Sequence, residues 1–107
     1  MIRHCVMLRL PDGFDRTALD AIVLGLAELV DDLPGADGFK CGPNRDFESK
    51  TADFPFGFTI DFDSPDALSH YAGHPDHVAL GARLVAMCED GAEGIAVFDL
   101  EVAGDAE

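Results

Sequence analysis

A phenol and two imidazoles fall close together at Tyr71-Ala72-Gly73-His74-Pro75-Asp76-His77. Histidine exchanges protons near neutral pH, and a phenol donates a hydrogen bond without ionising there. The combination suits proton abstraction beside a carbonyl, in which a base removes the proton and a donor stabilises the oxygen that gains enolate charge. The chain has 4 histidines and 1 tyrosine in all, so chemistry near neutral pH concentrates on this segment. Tyr71 and His77 are the candidate catalytic residues. The competing structural reading is that both side chains fasten a break between helices, by hydrogen bonds to the backbone or to each other. His74, directly before Pro75, reads first as a helix-start residue and second as a candidate substrate contact. His74, Asp76 and His77 do not complete a metal ligand set and no HExxH occurs, so neither a metal nor a cofactor is expected.

These side chains need elements to hold them. Residues 2 to 10 alternate as a strand does, with Ile2, His4, Val6, Leu8 and Leu10 on one face and Arg3, Cys5, Met7 and Arg9 on the other. His4 thus shares the apolar face, as a core or pocket-lining histidine. After the turn at Pro11-Asp12-Gly13, Asp15 or Thr17 can cap a helix whose stripe is Leu19, Ile22, Val23, Leu26, Leu29, Val30 and Leu33. Gly25 beside that stripe permits close approach, and Pro34-Gly35 ends the helix. A short strand follows at Ala36 to Cys41, then a polar loop from Gly42 to about Asp53.

The sharpest alternation is at Phe54, Phe56, Phe58, Ile60 and Phe62, a strand with Pro55, Gly57, Thr59 and Asp61 on its other face. Such a face is more often plain core, yet Phe56 and Phe58 are candidate walls of an apolar ligand pocket beside His4, Tyr71 and His77. Ser64-Pro65-Asp66 opens a short helix that runs to about Tyr71 or Ala72. Gly73 stops it and Pro75 starts another, on which His77, Leu80, Leu84, Met87 and Cys88 face inward. Gly91 to Gly94 is a turn, Ala96 to Val102 a last strand, and 103–107 a solvated tail after one domain at 1–102.

Strand, helix, strand, strand, broken helix, strand is the order of an α+β fold, the ferredoxin-like four-stranded antiparallel sheet with helices on one face. The uncovered face, assigned Cys5, Met7, Thr59 and Val97, is only partly polar, so it is expected to pair with a second copy as a homodimer.

Composition narrows the partners. At 107 residues the chain fits one domain. With 21 acidic against 7 basic residues and a formal charge of −14, it disfavours nucleic acid and anionic membrane surfaces. The apolar region from Ala18 to Val30 is broken by Asp20, Gly25 and Glu28 and is too short to cross a bilayer. The first residues lack the pattern of a signal peptide, and Cys5, Cys41 and Cys88 form no CxxC pair; a reducing, cytoplasmic setting is expected. Neither a phosphate-binding glycine loop, a serine elbow nor a dinucleotide fingerprint occurs.

Across nearly its whole length the chain resembles the stress-responsive α/β barrel (Dabb) family of the dimeric α+β barrel superfamily. The residues that carry the resemblance are Ile2 to Leu10, Phe58-Thr59-Ile60-Asp61-Phe62 with Ser64-Pro65-Asp66-Ala67-Leu68, Tyr71 to His77, and Val97-Phe98-Asp99-Leu100. The resemblance implies a ferredoxin-like protomer whose sheet joins that of a second protomer to close a barrel. A plant polyketide cyclase of the family performs a cofactor-free intramolecular aldol condensation. Its catalytic tyrosine and histidine correspond to Tyr71 and His77, and a pocket histidine on its first strand to His4. A second pocket histidine is replaced here by Phe56, so the resemblance does not carry over that reaction. Three functions follow as expectations: a dimer binding a small apolar or aromatic carbonyl or hydroxyl compound with acid/base chemistry of a cyclase or isomerase kind, a noncatalytic dimeric protein, and a monooxygenase-like relative.

Overall fold

Side-chain caps set the starts of the helices. In the computed structural model, which describes residues 1–103, Asp15 accepts from the Ala18 N–H at 3.0 Å and opens α1 (Arg16–Asp32). Ser64 does the same for Ala67 at 3.2 Å at the start of α2 (Pro65–Gly73). His74 Nδ1 accepts from the Asp76 N–H at 3.1 Å and caps α3 (Pro75–Met87). Each cap satisfies a backbone donor that the first helical turn leaves without a partner, typically worth about 1 kcal/mol. Thr17, the alternative cap for α1, lies inside the helix. All but Ala103 of the expected 103–107 tail falls outside the described residues.

The strands are β1 (Ile2–Leu8), β2 (Ala36–Pro43), β3 (Phe56–Phe62) and β4 (Ile95–Glu101), the last preceded by a 3-10 turn at Gly91–Gly94. They form one antiparallel sheet in the order β2-β3-β1-β4, with the helices on one face, which is the ferredoxin-like α+β arrangement. β3 starts at Phe56 rather than Phe54. The Phe54 and Pro55 carbonyls instead accept from Asn44, at 2.9 and 2.8 Å, and close the loop after β2.

Residues directly opposite in an antiparallel pair share a face. Leu8 stands opposite Phe56 and Ile95, Val6 opposite Phe58 and Val97, and His4 opposite Ile60 and Asp99. All belong to the helix side. The uncovered side carries Cys5 between Thr59 and Phe98, and Arg3 between Asp61 and Leu100. Val97 therefore lies on the helix side, contrary to the expectation from sequence. Alternation along β4 separates its two faces, but only its register with β1 says which face meets the helices.

Beneath the helices the core joins Leu19, Ile22, Leu26 and Val30 of α1 to Leu8, Phe58, Ile60 and Phe62 of the sheet. Of the aromatic face expected as core, Phe56, Phe58 and Phe62 are buried, whereas Phe54, in the loop before β3, is only partly covered and lies outside the core cluster. α1 and α3 approach closely at Gly25, where a Cβ would lie 3.0 Å from Leu80 Cδ2. On the uncovered sheet face Phe98 and Leu100 remain 57% and 52% exposed.

Candidate functional site

The joint between α2 and α3 is built by the residues that stop one helix and start the next. Gly73 is the last residue of α2, His74 turns the chain in extended conformation, and Pro75 occupies the first turn of α3. The turn leaves carbonyls at the end of α2 without helical partners. One of them, Ala72 O, accepts from His77 Nδ1 at 2.9 Å. A carbonyl can only accept, so the neutral ring carries its proton on Nδ1 and keeps its lone pair on Nε2. Burial pushes the His77 imidazolium below the ordinary histidine range, the bond to Ala72 opposes this, and the neighbouring His4 and His74 add to the lowering. The neutral form of His77 is thereby favoured.

Tyr71 sits in the last turn of α2 and is 1% exposed. Its ring stacks at a tilt on His77 with centroids 4.4 Å apart, and lies 5.2 Å from Phe62 and 6.0 Å from His4. Among the described residues none offers its hydroxyl a hydrogen bond. Burial raises the phenol well above its usual ionisation range, so it remains a protonated donor. Burial thus favours the uncharged form of both neighbours, the imidazole and the phenol.

Both groups border a cavity of about 290 Å³ between the sheet and α3. Its floor is His4, Val6, Phe58, Ile95 and Val97; Tyr71, Leu26, His77, Gly81, Leu84 and Val85 close it from the helix side. The walls are otherwise apolar, and the polar groups are His4, Tyr71 and His77. His4 is held by Asp99, with Nδ1 and Oδ1 2.6 Å apart. The carboxylate accepts from Nδ1–H and so orients the ring, leaving Nε2 for other contacts.

Of the residues singled out from sequence, the structure brings together His4, Phe58, Tyr71 and His77 around one cavity. Phe56 and His74 are elsewhere. Phe56 lies opposite Leu8 and Pro43, with the Arg16 guanidinium 6.0 Å from its ring centroid. One pleat beyond Phe58, it packs at the other end of the core. His74 spends its Nδ1 on the α3 cap and its ring lies 6.5 Å from that of His70, outside the cavity wall. Sequence reasoning missed Asp99 and Gly81. The signal for Asp99 was its place in the alternation of Ile95, Val97 and Asp99, which points at His4 once Val6 is set opposite Val97. Among the described residues no cluster of three His, Cys, Asp or Glu side chains could hold a metal ion, and no helix is long and apolar enough to cross a membrane.

The model of the stress responsive A/B barrel domain matches residues 2–102. The chain belongs to that family. This Dabb chain is 44% identical to a dimeric ferredoxin-like protein of unknown function from Jannaschia, with a TM-score of 0.82 over 94% of this chain and 98% of that one. A stress-response A/B barrel domain-containing protein of Arabidopsis thaliana is 25% identical over 77 residues, 72% of this chain and 71% of that protein. A hydroxynitrile lyase from Passiflora edulis has the same fold at 17% identity, with a TM-score of 0.79 over 95% of this chain and 93% of that one.

Proposed function

We propose that this Dabb protein is a homodimer that binds a small apolar or aromatic compound bearing a carbonyl or hydroxyl group in the cavity between sheet and helices. On that compound His77 and Tyr71 perform cofactor-free acid/base chemistry of a cyclase or isomerase kind. The observation that carries this reading is Tyr71, a side chain 1% exposed on the wall of an otherwise apolar cavity, whose hydroxyl has no hydrogen-bond partner among the described residues and which stacks beside the neutral His77 ring. A buried hydroxyl costs free energy unless something bonds it, and a ligand oxygen can. The volume, about 290 Å³, sits at the small end of ligand pockets.

In the proposed step His77 Nε2 takes a proton from the carbon next to the carbonyl. The C–H electron pair becomes the enolate, whose oxygen accepts from the Tyr71 hydroxyl. Return of the proton from His77 to the far carbon of a conjugated enolate is isomerisation; attack of the enolate carbon on a second carbonyl of the same molecule is ring closure, and the alkoxide so formed takes the proton back from His77. Both leave atoms and charge balanced without a cofactor. His4, oriented by Asp99, offers a further contact to a substrate oxygen. The exposed Phe98 and Leu100 and the dimeric Jannaschia relative support the homodimer. Cys5, Cys41 and Cys88 are free thiols, which supports a reducing, cytoplasmic setting.

The bond from His77 to Ala72 O favours a second reading, a noncatalytic protein in which His77 only fastens the helix joint. A ligand-observed NMR screen of aryl ketones and phenols against the wild type, His77→Ala and Tyr71→Phe separates the two. The first reading expects a compound bound by the wild type and weakened in both variants. A compound bound equally by all three, or none bound at all, would support the second.

A further inference from the structure

α3 carries a glycine at its centre that packing does not explain. Glycine in a helix interior is disfavoured relative to every residue but proline. Helices retain one where a neighbour crowds the place of a Cβ, and Gly25 is such a case, since its Cβ would lie 3.0 Å from Leu80 Cδ2. Gly81 is the reverse: a Cβ built there meets no atom within 4 Å, and its φ is not in the left-handed region that demands glycine. Neither close approach nor backbone conformation accounts for it.

The empty space in front of Gly81 is the cavity. Gly81 stands one helical turn beyond His77 on the same stripe of α3, and Val85 one turn beyond that. On the facing strands the same direction leads from the His4–Asp99 pair to Val6 and Val97, and then to Ile95. The cavity is therefore polar at one end and apolar at the other, with Gly81 between. We infer that Gly81 is a specificity-determining residue, whose missing side chain keeps open the passage that takes the apolar arm of an elongated carbonyl compound with its oxygen at Tyr71. This inference rests on the proposed function and deepens it.

The test uses the full chain, the variants Gly81→Ala and Gly81→Val, and alkyl phenyl ketones from acetophenone to hexanophenone, with dissociation constants from ligand-observed NMR and melting temperatures without ligand. The longer ketones are expected to lose about 10-fold or more in affinity for the variants, while acetophenone stays within about 2-fold. Without ligand, Gly81→Ala is expected to melt roughly 2–6 °C higher, because the native conformation accepts alanine and the unfolded chain loses freedom. A lower melting temperature for Gly81→Ala would overturn the inference by showing that packing requires the glycine. Ketones that bind the wild type and both variants alike would overturn it and leave the proposed function standing. Failure of the wild type to bind any of the series would overturn both.

Discussion

Replacing Tyr71 with phenylalanine removes one oxygen and leaves a ring that is 1% exposed in place. Its effect on stability separates a hydroxyl that holds the protein together from one that awaits a ligand. A hydroxyl fastening the helix joint would contribute about 0.5–1.5 kcal/mol net, and its loss would leave a buried partner unsatisfied at about 1–3 kcal/mol. Among the described residues the Tyr71 hydroxyl has no such partner, so Tyr71→Phe is expected to stay within about 0.5 kcal/mol of the wild type. Removing the whole ring, as in Tyr71→Ala, should instead cost about 3–5 kcal/mol. The assay is urea unfolding at one protomer concentration, because the apparent stability of a homodimer, the proposed state, depends on concentration. A second signature appears at alkaline pH. The phenol ionises near 10.0 when unfolded and higher when folded, so above 10.0 the folded state binds the extra proton and stability falls as pH rises. The phenylalanine variant should lack its share of that fall. In ligand binding, the same variant should lose about 3- to 10-fold in affinity, the equivalent of one neutral hydrogen bond. A loss of more than about 1 kcal/mol in stability at unchanged m-value would refute this reasoning, since it would show that the protein itself uses the hydroxyl.

Burial lowers the His77 ionisation below its ordinary 6.5, so the unfolded chain takes up that proton first as pH falls. The stability due to neutral His77 is then complete above 6.5 and lost through the window below it, and His77→Gln should flatten the dependence. Titration of the His77 ring by NMR at or above 6.5 would contradict this. Asp99→Asn should leave stability within about 0.5 kcal/mol, because the pair is partly exposed, yet weaken ligands that contact His4. A variant binding them as the wild type does would remove His4 orientation from the account. Phe98→Glu places a charge on the uncovered sheet face and should convert a dimer to a monomer in light scattering at micromolar concentration. A wild type already monomeric under those conditions would refute the dimer.

Much of the scaffold was legible because its signals are local. Asp15, Ser64, Pro65 and Pro75 mark helix starts through side-chain and ring chemistry acting within one turn. Residues 2 to 10 and 56 to 62 announce strands by alternation. Phe54 was read into β3 because it continues that alternation; the structure ends the ladder at the Phe56–Leu8 pair, and Asn44 takes the Phe54 and Pro55 carbonyls for the loop. The site was partly legible for the same reason. His77 falls on the inward stripe of α3, and Tyr71 closes the preceding helix, so their meeting at 4.4 Å follows from one short joint. Phe56 was drawn toward the cavity by sharing a face with Phe58, yet two strand residues span nearly 7 Å at roughly 3.3 Å each, enough to place it beyond the cavity wall.

The sequence by itself thus determined the elements, the helix joint and the side chains able to move a proton, since each depends on residues a few positions apart. Tertiary structure alone decided the side of the sheet that Val97 faces, the pairing of His4 with Asp99 across 95 positions, and the difference between two glycines. Gly25 and Gly81 are the same letter in helical segments, and one is pressed by Leu80 while the other looks onto empty space. Strand register and helix docking make that difference, and both are set by long-range packing that no local pattern encodes.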